Sequence, residues 1–170
     1  MYFTGIGVPE TTVNAGKLLP KAISVSSLIT QEEYERVFKE KKWRMLVPVV
    51  NPCGELCQDN LYLTRQVHIR LGEKGLRVER IAVNLAGQEG EQYLKSLAVE
   101  HPKLKSVSAE QTTWQQWVSK SQAEFMLESG RYYLLVDQEG KAMMAYDKNQ
   151  TGNELLKDIK RALKYSIDYQ

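Results

Sequence analysis

The run Arg44-Met-Leu-Val-Pro-Val-Val50 limits what this chain can fold into more than any other stretch. A nearly unbroken apolar run cannot alternate between core and solvent, so a strand built from it must be covered on both faces. Pro48 lacks an N–H and argues against a central place in a sheet. Directly after the run comes Asn51-Pro-Cys-Gly-Glu-Leu-Cys57, and Leu56, Leu63, Val67 and Leu71 then recur at spacings of seven, four and four. That is the period of an amphipathic helix, and Gly72 and Gly75 close it. A buried strand feeding a helix is the opening of a right-handed parallel crossover.

The rest of the chain continues this alternation. Arg77 to Leu85 reads as a second strand with Ile81, Val83 and Leu85 on one side, and Gly87 to Gly90 turns into a helix bearing Tyr93, Leu94 and Leu97 that Pro102 stops. Leu104 to Ser108 is a short strand, and Ser108 with Gln111 has capping-box spacing before Trp114, Trp117 and Val118, whose aromatic rings read as core. Arg131 to Asp137, a turn at Gln138-Glu139-Gly140, and Lys141 to Tyr146 form a β-hairpin. Thr151 with Glu154 caps a last helix with Leu155, Leu156, Ile159, Ala162 and Leu163 inward and Lys157, Lys160 and Lys164 outward. Upstream, Thr30 and Glu33 open a helix that should end near Lys42. Residues 1–29, with Pro9, Pro20 and three glycines, read as an extended lead-in, which leaves residues 30–170 as the domain. The predicted class is α/β, with a mixed central sheet, helices on both faces, a C-terminal hairpin at an antiparallel edge and a closing helix. A thioredoxin-like three-layer fold satisfies that order, though periodicity alone also admits other three-layer folds.

Charge narrows the function classes. Lysine and arginine number 23 and aspartate and glutamate 21, a net charge of +2 that leaves no clustered basic footprint for nucleic acid. The densest basic stretch, Lys39, Lys41, Lys42 and Arg44, is interrupted by Glu40 and reads as a solvated helix end. No apolar run approaches the ~18 residues of a membrane span, and the start lacks a basic n-region and an apolar h-region. An anchor or signal removed upstream would leave the same start.

Cys53 and Cys57 are the only cysteines, and they sit where strand hands over to helix. Unpaired amides at a helix N-terminus stabilise a thiolate, the species that attacks disulfides and binds soft metals, so Cys53 is the candidate nucleophile. Four residues rise ~6 Å and turn a little over one revolution, which puts Cys57 on the same side. Such a pair serves as a structural disulfide, a cycling redox couple or two thiolates for Cu(I). A staple enclosing only three residues removes little unfolded-chain entropy, which favours the functional uses. His68 lies ~16 Å further along the helix and cannot share an ion with the cysteines, so it reads as a surface or half-buried imidazole. His101, ahead of Pro102, reads as a cationic cap of a helix end. Met126, Met143 and Met144 read as core. No Gly-x-Ser-x-Gly elbow, phosphate-binding loop, dinucleotide fingerprint or His-Glu-x-x-His occurs.

The strand before Asn51-Pro-Cys-Gly-Glu-Leu-Cys57, then Leu61 to Val67, Arg77-Val-Glu-Arg80 and Tyr133 to Tyr146 before a lysine-rich helix, resemble the Sco/SenC family. More narrowly, they resemble its divergent proteobacterial branch associated with cytochrome oxidase assembly. The likeness runs over residues 43–166. It implies a thioredoxin fold on a membrane-tethered domain facing the periplasm, with the inner-membrane anchor outside this chain. It also implies that Cys53 and Cys57 bind copper or cycle between dithiol and disulfide, with an oxidase subunit or another thiol or copper assembly protein as partner. The family's third copper ligand is a histidine just before the strand matching Arg131 to Asp137, where this chain has Leu127-Glu-Ser-Gly130. Thiol–disulfide oxidoreduction is therefore the better supported half of the implication. A binding module with a static disulfide is the alternative. A peroxide-reducing enzyme ranks last, because Val50 stands where a Thr-x-x-Cys arrangement needs threonine. Thioredoxins proper place a proline ahead of the later strand, and none follows Pro102.

Overall fold

The structure, a computed structural model, describes residues 15–123 and 130–166. Strands β1 (Lys17–Ser24), β2 (Trp43–Val49), β3 (Val78–Asn84), β4 (Leu104–Ser108), β5 (Tyr133–Val136) and β6 (Lys141–Tyr146) form one sheet in the order β1-β6-β5-β2-β3-β4. Pairing is parallel for β2–β3 and β3–β4 and antiparallel elsewhere. Among the described residues the α-helices are α1 (Gln31–Val37), α2 (Glu55–Arg70), α3 (Gly87–Ser96), α4 (Gln111–Ser119) and α5 (Gly152–Lys164). This is the predicted mixed, three-layer α/β architecture. The β5–β6 hairpin is not the sheet edge, however, because β1 pairs outside β6. β1 lies within the segment expected to run extended as a lead-in. Its register shifts between Leu18 and Ile23, the stretch that contains Pro20, as suits an edge strand. The buried Asp158 carboxylate ties its start to α5 by accepting from the Ala15 and Gly16 amides and from the Tyr146 hydroxyl at 2.8 Å.

Two cores form because strand residues alternate between faces. Met45, Val47 and Val49 pack with Ala82, Leu61, Val67, Leu155 and Ile159 beneath α2 and α5, whereas Leu46, Ile81 and Val83 pack with Val37, Trp114 and Trp117 beneath α1 and α4. Both tryptophans are core, as expected, with ring centroids 5.3 Å apart. Pro48 sits in a central strand after all. The Val49 carbonyl accepts from Leu85 on the β3 side, so the Pro48 nitrogen faces β5, whose pairing with β2 stops at Leu46. No ladder bond is asked of it.

Four local readings need correction. Helix α1 stops at Val37 rather than near Lys42, because the Arg44 guanidinium takes over the carbonyls of Val37, Glu40 and Lys42 at 3.3, 2.7 and 2.9 Å. Arg44 is consequently 1% exposed, not part of a solvated basic end. Helix α4 starts after Glu110 with no side-chain cap, since Ser108 is held in the β3–β4 ladder opposite Asn84. On α2 the buried stripe is Cys57, Asn60, Leu61, Thr64 and Val67, a phase that leaves Leu56 and Leu63 only half-buried. The Thr151–Glu154 capping box of α5 forms reciprocally, as read.

Candidate redox site at the end of β2

The parallel strands β2 and β3 finish together, with Val49 opposite Asn84, and the next residues of β2 turn outward into Asn51 and Pro52. The Asn51–Pro52 peptide bond is cis. Gly54 is the N-cap of α2 and contributes no side-chain hydrogen bond, so Cys53 stands just before the helix and Cys57 is the third residue within it. Their Cα atoms are 5.2 Å apart and their sulfurs form a disulfide.

The two sulfurs have different surroundings. Cys57 is 2% exposed and belongs to the core beneath α2, whereas Cys53 is half-buried with Asn51, Pro52, Gly54 and Glu55 exposed around it. The Gln58 side chain donates to the Cys53 carbonyl at 2.7 Å and fixes the loop against the first helical turn. Cys57 Sγ lies 4.0 Å from the Pro48 carbonyl oxygen. A reduced Cys57 thiol in this place would have that oxygen within reach as an acceptor. The loop before β5 also reaches this end: Gly130, at φ +88°, sits so close to Val50 that a Cβ on it would be 3.0 Å from Val50 Cγ2. The sequence did not single out Gln58, the Pro48 carbonyl or the Gly130–Val50 contact, because none belongs to a recognisable spacing.

The remaining candidates lie elsewhere. His68 is half-buried in the last turn of α2, with Nε2 2.9 Å from the Gly75 carbonyl. His101 is not a cationic helix cap. Its Nδ1 is 3.2 Å from Arg80 Nη1, and burial, then Arg80 and Arg65, hold its pKa below the ordinary value, which favours the neutral ring. Met144 is buried and Met143 half-buried beneath α2 and α5, while Met126 and Leu127 to Ser129 lie outside the described residues. Among the described residues no group of three or more His, Cys, Asp or Glu side chains is placed to hold a metal ion. The two sulfurs are the soft donors that the described residues place at this junction. Among the described residues no helix is long and apolar enough to cross a membrane.

Comparison with known proteins follows the same outline. The family model described as "Transmembrane-like, thioredoxin-like, C-terminal domain" matches residues 43–166. No curated protein sequence matches the chain. Among solved structures, yeast Sco1 is 16% identical with a TM-score of 0.61, over 79% of this chain and 87% of that one. Arabidopsis thaliana ScoI, solved with copper bound, is 16% identical with a TM-score of 0.60, over 87% of this chain and 99% of that one. BsSco, described as carrying a disulfide switch and belonging to the Sco family of cytochrome c oxidase assembly proteins, is 14% identical with a TM-score of 0.57, over 90% and 97%. The fold is the thioredoxin-like fold of the Sco structures.

Proposed function

Because the chain belongs to the family of transmembrane-like, thioredoxin-like C-terminal domains, we propose that it is a Sco-like accessory factor for cytochrome c oxidase assembly, working through Cys53 and Cys57. The observation that carries this reading is the asymmetry of the disulfide: one sulfur at an open rim, the other in the core, at a strand-to-helix junction. An incoming thiolate attacks Cys53 Sγ and forms a mixed disulfide, while Cys57 leaves as a thiolate and takes a proton. A second thiol on the same partner resolves the mixed disulfide. The partner leaves as a disulfide, and the protein holds two thiols after gaining two electrons and two protons. The reverse sequence reduces a partner disulfide, with the Cys53 thiolate attacking it and Cys57 resolving the mixed disulfide.

Copper enters this reading as cargo. Reduced Cys53 and Cys57 supply two soft sulfur donors suited to Cu(I), and a partner, either an oxidase subunit or another thiol or copper assembly protein, receives the ion. A periplasm-facing domain tethered to the inner membrane suits a disulfide, because that compartment is oxidising. Burial of Cys57 in the core also supports a second reading, a binding module with a permanent disulfide.

Two measurements on the full chain separate these readings. A reduction potential well above about −300 mV, in the range of labile pairs, supports exchange, and a lower one supports the permanent staple. An anaerobic Cu(I) titration of the reduced protein against a chromogenic chelator, with Cys53→Ser as control, tests the cargo role. Stoichiometric uptake lost in the variant is expected, and absence of uptake removes copper from the assignment.

A further inference from the structure

A second polar site lies away from the disulfide, on the α2 face of β3. Arg80 is 2% exposed. Its Nε donates to Thr64 Oγ1 at 3.2 Å, and its Nη2 donates to the Leu61 carbonyl at 2.6 Å and to Thr64 Oγ1 at 3.1 Å. Its Nη1 is 3.2 Å from His101 Nδ1. Every one of these partners is neutral, and among the described residues no carboxylate pairs with Arg80. Burial, and then the neighbouring charge of Arg65, push its pKa down to about 10, so it remains a cation at neutral pH. A buried guanidinium normally faces an acid, because dipoles replace lost hydration only in part.

The same two side chains, Arg80 and His101, line a cleft of about 630 Å³ whose wall also includes Arg65 and Lys103. A guanidinium only donates, so His101 Nδ1 must accept from it, and the ring proton sits on Nε2 as a further donor. The one acid on the cleft wall, Glu79, is already engaged by Arg44 at 2.9 Å and Lys105 at 2.7 Å. Besides Lys42 and Lys105, which pair with Glu79, three cations and a neutral donor thus border a space whose charge is not balanced from within the described protein.

We propose that the cleft between the end of α2 and the start of β4 binds a phosphate group, with Arg80 as its buried charge, Arg65 and Lys103 as outer cations and His101 as a neutral donor. Guanidinium groups match the oxygens of such an anion, and more than one cation suits its multiple charge. The group comes either from a soluble phosphate or phosphoester or from a phospholipid headgroup; both present the same oxygens. The site is independent of the disulfide, so the oxidised chain, residues 1–170, serves for the test.

Residue-resolved NMR of that chain, titrated with inorganic phosphate against chloride at matched ionic strength, reads the site directly. Saturable shifts confined to Arg65, Arg80, His101 and Lys103 are expected. Arg65→Gln should weaken binding by about tenfold or more, the cost of one charged hydrogen bond. Arg80→Met should abolish binding, with circular dichroism checking that it folds. Phosphatidylglycerol vesicles that displace phosphate, and bind Arg65→Gln correspondingly less, place the phosphate on a lipid. Vesicles that fail to compete place it on a soluble ligand. Shifts spread over exposed lysines, no saturable shift at Arg80 and His101, or unchanged binding by Arg65→Gln would each overturn the proposal.

Discussion

The central sheet holds one buried arginine on each face, and the two are neutralised differently. Arg44 on β2 faces α1, where it donates to Glu79 Oε1 at 2.9 Å and to three backbone carbonyls, and its guanidinium lies 4.5 Å from the Phe38 ring centroid. Arg80 on β3 faces α2, where it meets carbonyl, hydroxyl and imidazole groups and no carboxylate. The two positions lie close in the ladder, since Arg44 stands opposite Glu79 and Met45 opposite Arg80, but their side chains leave by opposite faces. One site is a closed network of charges, and the other is hydrogen-bonded to neutral groups but not balanced in charge. Their difference teaches that hydrogen bonds to neutral groups do not balance the charge of a buried ion, and an external anion is what the second site lacks.

The sharpest break of this comparison is Glu79→Gln. It leaves Arg44 buried without its counter-ion, for which an expected loss is about 3–5 kcal/mol, read from urea unfolding. The pH dependence has the same origin. Burial alone would raise the Glu79 pKa, but the hydrogen bond from Lys105 and the charge of Arg44 outweigh it and hold it below 4.5. A depressed carboxylate pKa adds stability that is full above the unfolded value and is lost as pH falls through the folded value. The wild-type chain should therefore lose more stability between about pH 6 and about pH 3 than Glu79→Gln does. Parallel acid limbs would show that Glu79 is not the group responsible. A smaller effect is expected for Arg44→Lys, which keeps the charge but cannot serve Glu79 and three carbonyls together. About 2 kcal/mol should go, and α1 should fray at Val37, seen as faster amide exchange there.

The legibility of these regions in the sequence differs for a physical reason. Apolar periodicity reports which surfaces must be buried, so the strand at Arg44 to Val50, the helices and the hairpin could all be read, and the strand-to-helix position of Cys53 and Cys57 came with them. Arg44, Glu79 and Arg80 lie inside two such strands, yet linear spacing puts Arg44 in a solvated basic end and gives Glu79 and Arg80 no partner. Their burial depends on partners 35 residues away, as for Arg44 and Glu79, or 16, as for Arg80 and Thr64. The same limit explains the misplaced end of α1, set by Arg44 from the next strand, and the role given to His101, whose partner lies on β3. Partner-dependent features of this kind leave no local period.

The smallest effect is expected at the other arginine. Arg80→Met removes a charge without stranding an opposite one, and the unbranched side chain still fills the channel of the arginine stem. Stability should change by about 1 kcal/mol or less, in either direction, in chloride buffer. A loss as large as that of Glu79→Gln would make Arg80 a structural tie between β3 and α2, and the contrast between the two faces would collapse. Phosphate sharpens the test. A ligand that binds only the folded state raises stability by RT ln(1 + [L]/Kd), so phosphate should stabilise the wild type progressively and leave Arg80→Met unmoved. The two proteins should therefore diverge with phosphate, although they start nearly equal without it.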